Sequence, residues 1–422
     1  VLIPLCALCV IFARPLMKYV LVDFSDPRLT QMSIQLFRWF INYLLLISIS
    51  AVLMGVLNSH YSFFIPAVTP ILFSLAVIGS VLFFYPSIGI YSMALGVLAG
   101  GLLQILFQVP SYIKHGFDFR LDFSFRKNED FKRIIRLWLP VVATASIFAI
   151  NEQLAVRFAT GLEEGSSSSL QYALVFFQLP FGIFSTSIIT VLFPRMSRQA
   201  AAEDVQGLRE SVQYGLRFLI IFLIPSTVIF CLLSREIISV TMHRGNFTLE
   251  DTLKTARVLV YYSIGLLSIG VFTFLQRFFY ANNNFKVPFI AAFIVCVIDV
   301  SLSLWLKETF LRVLGLALAN TVSFTLGSAF MLIMTRHRLK RMHGRRIGLT
   351  TLKVTAAMVP AAGFILVFLK ITGAWWMSGS AMKNFLYLCV SGFGSVIIIF
   401  IIYYVLKVEM IYDILNKRLK KQ

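Results

Sequence analysis

From Gln171 to Arg198 the chain reads QYALVFFQLPFGIFSTSIITVLFPRMSR. A helix needs about 20 mostly apolar residues to cross the hydrocarbon of a bilayer, and this stretch supplies them. It also carries Gln178, Gly182, Thr186 and Thr190, one at every fourth position. On a helix that spacing is one stripe, so a small and polar face runs down an otherwise greasy rod. Pro180 lies within it, removes a backbone donor and is expected to kink it. The stripe has two readings. Small and hydroxyl residues line ordinary helix contacts in membranes. The same residues also suit a water-facing wall in a transport cavity. The stretch ends in PRMSR, a basic stop at a membrane surface.

The rest of the chain follows the same plan. Of its 422 residues, 58% are hydrophobic and 14% charged, which describes a polytopic membrane protein rather than a soluble domain. Apolar segments predict spans near 36–57, 64–85, 88–110, 138–160, 171–193, 216–234, 258–280, 288–306, 313–335, 351–371 and 384–406, with a shorter apolar piece at 1–13. The expectation is an all-α protein of eleven complete spans and a fragment. The fragment is too short to span and lacks the basic flank and cleavage site of a signal peptide. The chain is therefore expected to open inside a helix, with further helices upstream.

A net charge of +19 would suggest nucleic acid in a soluble protein. Here Lys and Arg sit between apolar spans, where topology and anionic headgroups account for them. Segment 113–136 holds seven of them (Lys114, Arg120, Arg126, Lys127, Lys132, Arg133 and Arg136), 335–353 another seven, 194–217 four and the tail 407–422 five. These alternate onto one side, read as the cytoplasm, with the C-terminus on it. The opposite loops are poorer in bases, and Thr160 to Gln171 carries Glu163 and Glu164 with none. Segment 335–353 has no interleaved aromatics and reads as a positive-inside clamp, not a nucleic-acid patch. The five cysteines (Cys6, Cys9, Cys231, Cys296 and Cys389) lie in apolar spans without a second CxxC or a His at ligand spacing. They read as small core residues, and no metal is expected.

A repeat is visible. Phe63-Phe64-Ile65-Pro66 opens one span and Phe285-Lys286-Val287-Pro288 opens another. Each follows an Asn-containing turn and precedes a span that starts near a glycine, Gly89 or Gly315. Transporters are commonly built from two such halves around a central site. The domain reading is a first-lobe remnant at 1–112, a basic linker at 113–137 and a second lobe at 138–336. A basic loop, two further spans and a basic tail then fill 337–422.

Six segments carry a resemblance: GVLNSHYSFFIPAVTP at 55–70, GVLAGGLLQILFQVP at 96–110, KRIIRLWLP at 132–140, QLPFGIFSTSIITVLFPRMS at 178–197, HRGNFTLEDTLKTA at 243–256 and QRFFYANNNFKVP at 276–288. In this order and spacing they resemble the lipid II flippase family (MurJ, also called MviN), within the superfamily that includes MATE multidrug exporters. The family has fourteen helices, and this chain resembles its third helix onward. The resemblance implies two helical lobes plus two C-terminal helices in the bacterial cytoplasmic (inner) membrane. It implies a flippase of the undecaprenyl-pyrophosphate-linked peptidoglycan precursor that works by alternating access. It also implies no covalent chemistry and no cofactor beyond a coupling cation or proton. The partners are the lipid-linked precursor and membrane lipids, without nucleic acid, and the working unit is a monomer. The alternatives are another exporter of the superfamily, MATE-like or carrying polysaccharide lipids, or a scaffold that does not transport. A membrane enzyme of lipid-linked sugars would show acidic or His motifs in its loops, which here hold bases and hydroxyls. The sequence departs from the family at charged places. Val175 stands where an Arg is common, and Ala155-Val156 where an Asp-Arg pair is common.

Charged and polar residues inside spans complete the candidates. Asn151-Glu152-Gln153 lies inside 138–160, and Asp299 inside 288–306. A carboxylate at depth is functional by default, since it is expensive in hydrocarbon. With Asn320, which opens Asn320-Thr321-Val322-Ser323, Glu152 and Asp299 are expected to face each other. They would hold a proton or a small cation, or else staple helices as neutral hydrogen-bonded groups. Gln178, Gly182, Thr186 and Thr190 are expected to line one wall of a cavity between the lobes. Arg38, Arg157, Arg277 and Lys286 are the bases in hand for a pyrophosphate, a ligand that the planar Arg fork suits. Gly96 and Gly100 form a GxxxG and read as close helix packing.

Overall fold

Helices run well past the apolar lengths that the bilayer dictates. The computed structural model describes residues 2–60, 62–114, 129–340, 344–377, 380–410 and 412. In order the helices are α1 (Leu2–Ile11), α2 (Ala13–Leu16) with a π turn (Met17–Leu21), α3 (Pro27–Phe40), α4 (Tyr43–Ser59), α5 (Phe64–Ile88), α6 (Tyr91–Lys114) and α7 (Glu129–Thr160). Then come α8 (Ser166–Pro180), a π turn (Phe181–Thr186), α9 (Ser187–Ala201), α10 (Val205–Met242), α11 (Leu249–Ile264) and α12 (Leu266–Ala281). The last are α13 (Lys286–Leu306), α14 (Val313–Leu339), α15 (Gly344–Thr372), a short 3-10 turn (Trp375–Met377) and α16 (Ala381–Val405). Among the described residues, 10 segments are long and apolar enough to cross a membrane. Two bent pairs, Leu2–Leu21 and Leu249–Ala281, raise the number to as many as 12. The protein is thus an all-α, multi-span membrane protein.

Three expectations need correction. The segments 194–217 and 335–353 are not loops. Between α9 and α10 only 202–204 are non-helical, and α14 and α15 leave only 340–343 between them. Helix-forming bases carry the rods beyond the hydrocarbon, and cations suit helix C-termini such as the Arg336–Arg338 turn. Asp204 then caps α10, accepting from Gly207 N at 2.8 Å. The N-terminal piece does not stop at residue 13, because a second helical stretch turns away at 75°. Pro15 sits in its first turn, where a missing N–H is harmless. The linker is helical at both ends, with Lys114 on α6 and Lys132 and Arg136 on α7. Arg120, Arg126 and Lys127, like Arg341 and the tail bases from Lys417 on, lie outside the described residues.

The contacts divide the chain into two units, Val1–Ile134 and Ile135–Gln422. In the first, α6 packs between α4 and α5. The expected close approach is explicit. A Cβ on Gly96 would lie 2.8 Å from Ser80 Cβ, and one on Gly100 2.8 Å from the Phe73 ring. Gln108 on α6 donates to Ser50 Oγ on α4 at 2.7 Å.

The second unit is built around α10, which contacts α9, α11, α12, α15 and α16. The expected span 258–280 is broken at Gly265, where α11 and α12 bend by 46°. Gly265 N bonds to Tyr262 O at 2.9 Å instead of the carbonyl four residues back. The Tyr261 carbonyl so released accepts from Thr321 Oγ1 of α14 at 2.7 Å. Ser263 O accepts from Thr227 Oγ1 of α10 at 3.0 Å. Hydrocarbon offers no donors, so a broken helix persists there only with such replacements.

The same logic docks the last two helices. Pro225 in α10 has no N–H for the carbonyl of Ile221. Tyr403 of α16 donates its hydroxyl to that carbonyl at 2.9 Å, fully buried. Arg217 of α10 adds bonds to Thr350 of α15 and to Glu409. Tyr403→Phe is expected to lower stability by about 1–3 kcal/mol, because the Ile221 carbonyl is left buried without a donor. Thermal unfolding of the purified protein checks this, with Tyr404→Phe, an exposed neighbour, as the unchanged control.

Candidate functional site

Within the second unit lies a cavity of ≈ 510 Å³. The helix carrying the predicted stripe forms one side of it. Pro180 ends α8, and the chain continues as a π turn, Phe181–Thr186, before α9. A π turn closes hydrogen bonds one residue wider than an α-helix, so the helix is distorted at the proline as expected. Gln178, Gly182 and Thr186 line the cavity. The Gln178 amide makes no hydrogen bond among the described residues, and no atom lies within 4 Å of a Cβ built on Gly182. Thr190, the fourth member, is exposed but does not line the cavity, and its hydroxyl donates to Thr186 O at 2.8 Å.

The opposite side comes from α7, α12 and α14. Phe148 of α7 stacks on Phe324 of α14, with centroids 5.9 Å apart, and makes an edge contact with Phe272 of α12. Polar groups line the same cavity: Asn151 and Glu152 from α7, Thr273 and Gln276 from α12, and Asn320 from α14. Glu152 is the one charged residue among those that line the cavity, and none is Lys or Arg. Ala155 and Val156, the apolar replacements for the family's charged pair, lie on this wall. Val175 is exposed and is not part of it.

Behind the wall sits the second candidate group. Asp299 of α13 is buried, at 4% exposure. Its Oδ2 accepts from Asn151 Nδ2 at 2.6 Å and from Asn320 Nδ2 at 3.2 Å, and Ser303 Oγ donates to Oδ1 at 3.4 Å. The pairing of Asp299 with Asn320 was foreseen, whereas the α7 partner is Asn151 rather than Glu152. Neighbouring residues on a helix point about 100° apart. Asn151 therefore turns to α13, while Glu152 is exposed on the cavity side. Asn151 and Asn320 belong both to the cavity wall and to the Asp299 cluster. Both amides can rotate by half a turn, and the cluster would then present carboxylate, amide and hydroxyl oxygens, the ligands a hard cation takes.

The four bases do not gather at the cavity. Arg277 is exposed near the end of α12, 6.0 Å from the Tyr280 ring centroid. Lys286 opens α13 and borders a separate hollow of ≈ 830 Å³ with Arg338 and Asn282 to Asn284. Arg157 is half-buried in the last turn of α7. Arg38 is exposed in the last turn of α3, in the first unit. Sequence reasoning passed over Gln171, Tyr262 and Gln276 as lining residues. Gln171 lies seven residues before Gln178, a spacing that marks it; Tyr262 and Gln276 carry no such signal.

Comparison with known proteins places this geometry. A family model described as Lipid II flippase MurJ matches residues 1–387. A relative from Borreliella burgdorferi, named as a lipid II flippase MurJ, is 31% identical over 408 residues, covering 97% of this chain and 79% of its own. One of the same name from Buchnera aphidicola is 31% identical over 309 residues, covering 72% of this chain and 60% of its own. A solved structure titled "Lipid II flippase MurJ, inward closed conformation" shares the fold with a TM-score of 0.75 at 24% identity, over 97% of this chain and 82% of that one. An inward-facing MATE family multidrug transporter of the MOP superfamily shares the fold at a TM-score of 0.68 and 13% identity, over 80% of this chain and 78% of that one.

Proposed function

The chain belongs to the lipid II flippase (MurJ) family, and from that premise we propose that it moves the undecaprenyl-pyrophosphate-linked peptidoglycan precursor across the cytoplasmic membrane by alternating access. The observation that carries the reading is the similarity along 97% of the chain to a relative with that name. A MATE-like exporter shares only the fold.

The cavity suits the neutral part of such a substrate. Sugars and peptide groups need donors and acceptors, and Gln178, Thr186, Thr273, Gln276 and Asn320 offer them over an aromatic floor. The pyrophosphate is a poor match for a wall whose one charge is Glu152. Its contacts fall to bases outside this wall: Arg277 and Lys286 at the α12–α13 turn, with Arg157 and Arg38 as further candidates. The Asp299–Asn151–Asn320 cluster is the coupling site, because it touches the wall that must move and can offer oxygens to a proton or small cation. The α15–α16 pair carries the polyprenyl tail, the C-terminus is cytoplasmic and a single chain is the working unit.

The test is reconstitution. The full chain in liposomes should move a labelled lipid II to the leaflet where an added enzyme can reach it, and a MATE substrate should not accumulate. Asp299→Asn should keep the helices stapled but abolish the response of that rate to an imposed ion gradient or potential. No translocation by the wild type would overturn the flippase reading, and an unchanged response in Asp299→Asn would overturn the coupling assignment alone.

A further inference from the structure

Away from the cavity the second unit buries another carboxylate. Glu236 is 4% exposed in α10, three residues past Leu233, whose φ of −107° and ψ of 16° mark a kink. Its Oε2 meets no donor among the described residues. One turn on, Ser239 Oγ donates at 2.7 Å to the carbonyl of Trp376, in the Trp375–Met377 turn between α15 and α16. That turn packs on α10 and buries Trp375, whose indole N–H also meets no acceptor. On the facing helix α11, Thr255 is fully buried and its hydroxyl is likewise unpaired.

Register brings these groups to neighbouring levels. Thr227 bonds to Ser263 O, Cys231 Sγ lies 3.9 Å from Val260 O, and His243 Nδ1 lies 3.1 Å from Thr252 Oγ1. Along the antiparallel pair, these contacts set Glu236 within about one helical turn of Thr255. Glu236, Ser239 and His243 share one stripe of α10, and Thr252 and Thr255 share one of α11. Three buried polar atoms without a hydrogen-bond partner among the described residues, Glu236 Oε2, Trp375 Nε1 and Thr255 Oγ1, thus come from α10 and the two elements packed on it.

A buried carboxylate with an oxygen left without a donor is costly, and such groups mark candidate functional sites. A hard cation takes six or more oxygens, while this place offers a carboxylate, a hydroxyl and an indole donor that repels cations. Among the described residues no three of His, Cys, Asp and Glu come together to hold a metal. A proton needs one oxygen. The geometry points to Glu236 as a proton-binding site of the second unit, separate from Asp299, whose state sets how firmly the Trp375–Met377 turn is held on α10. Ionised, the carboxylate draws the Trp375 indole and the Thr255 hydroxyl toward it, neither of which bonds to it in this structure. Protonated, it donates to the Thr255 oxygen and loosens its hold on the indole.

Few charges surround it. Arg235 is the adjacent residue and exposed, and exposed His243 ends the stripe. On α11, Lys254 is engaged by Glu163 and by Glu164 O, Arg257 is exposed, and Asp251 is tied to Thr248 in the helix cap. Lys370 near the end of α15 is exposed, and Lys383 at the start of α16 lies over the Tyr387 ring. The Trp375–Met377 turn carries no charge.

The site is independent of what the protein transports, and its test uses the full chain in lipid nanodiscs. Infrared difference spectra between mildly acidic and mildly alkaline buffer should show a protonated-carboxyl C=O band. That band should vanish in Glu236→Gln and persist in Asp299→Asn. Trp375→Phe, which keeps the carboxyl, should shift both its frequency and its midpoint. A band untouched by Glu236→Gln would overturn the proposal. Where that variant fails to accumulate, a band unmoved by Trp375→Phe would overturn it equally.

Discussion

Gly182→Trp is expected to stop translocation of the lipid-linked precursor and to leave the fold intact. Gly182 sits in the π turn on the cavity wall, and nothing lies within 4 Å of a Cβ built there. An added side chain therefore meets open space, not packed neighbours, and removes no buried contact. An indole buries 150–250 Å² of surface wherever it settles. The cavity is lined by apolar rings, Phe148 and Phe324 among them, so the indole should lie across its ≈ 510 Å³. Melting temperature and helical circular dichroism should match the wild type, while flipping in proteoliposomes falls to the background of empty vesicles. Gly348→Trp on α15, also in open space but not among the residues that line the cavity, is the control and should flip normally. Wild-type flipping by Gly182→Trp would remove this cavity from the transport path.

Much of the fold was legible because the bilayer fixes one length. About 20 apolar residues must stand together to span it, and every expected span but 258–280, which is bent at Gly265, falls on a segment long and apolar enough to cross. The repeat was legible for a related reason. Phe63 and Phe285 are both N-caps in helical conformation, and Pro66 and Pro288 both fall at the third helical position. What the sequence hides is set by other helices. The break at Gly265 holds because Thr321 and Thr227 reach the freed carbonyls from α14 and α10. The site was legible in part. A spacing of four finds Gln178, Gly182 and Thr186, but it only approximates the α-helical repeat of about 3.6 residues. Positions four apart drift by about 40° on an α-helix, so the stripe turns with length and Thr190 leaves the wall. Asn151 was hidden behind its charged neighbour, since only the position of α13 decides which of two adjacent residues meets Asp299.

Cysteine labelling separates the two readings of the stripe, and the expected outcome is all-or-none. In a background without the five native cysteines, Gln178→Cys, Gly182→Cys and Thr186→Cys should react with a water-soluble, membrane-impermeant thiol reagent. Val175→Cys, Phe184→Cys and Thr190→Cys should not. The first three positions line the cavity, and an unpaired Gln178 amide facing lipid instead would cost about 2–7 kcal/mol. Val175 is 56% exposed yet absent from the cavity wall, so a reagent held to water in the cavity does not reach it. Phe184 is stacked on Phe222, with centroids 4.7 Å apart. Thr190 is the sensitive position, because the spacing of four includes it and the cavity wall does not. Labelling at 178, 182, 186 and 190 together would show the stripe wet along its whole length. Protection at all six positions would show a packing face, and the cavity would then lose its place in transport.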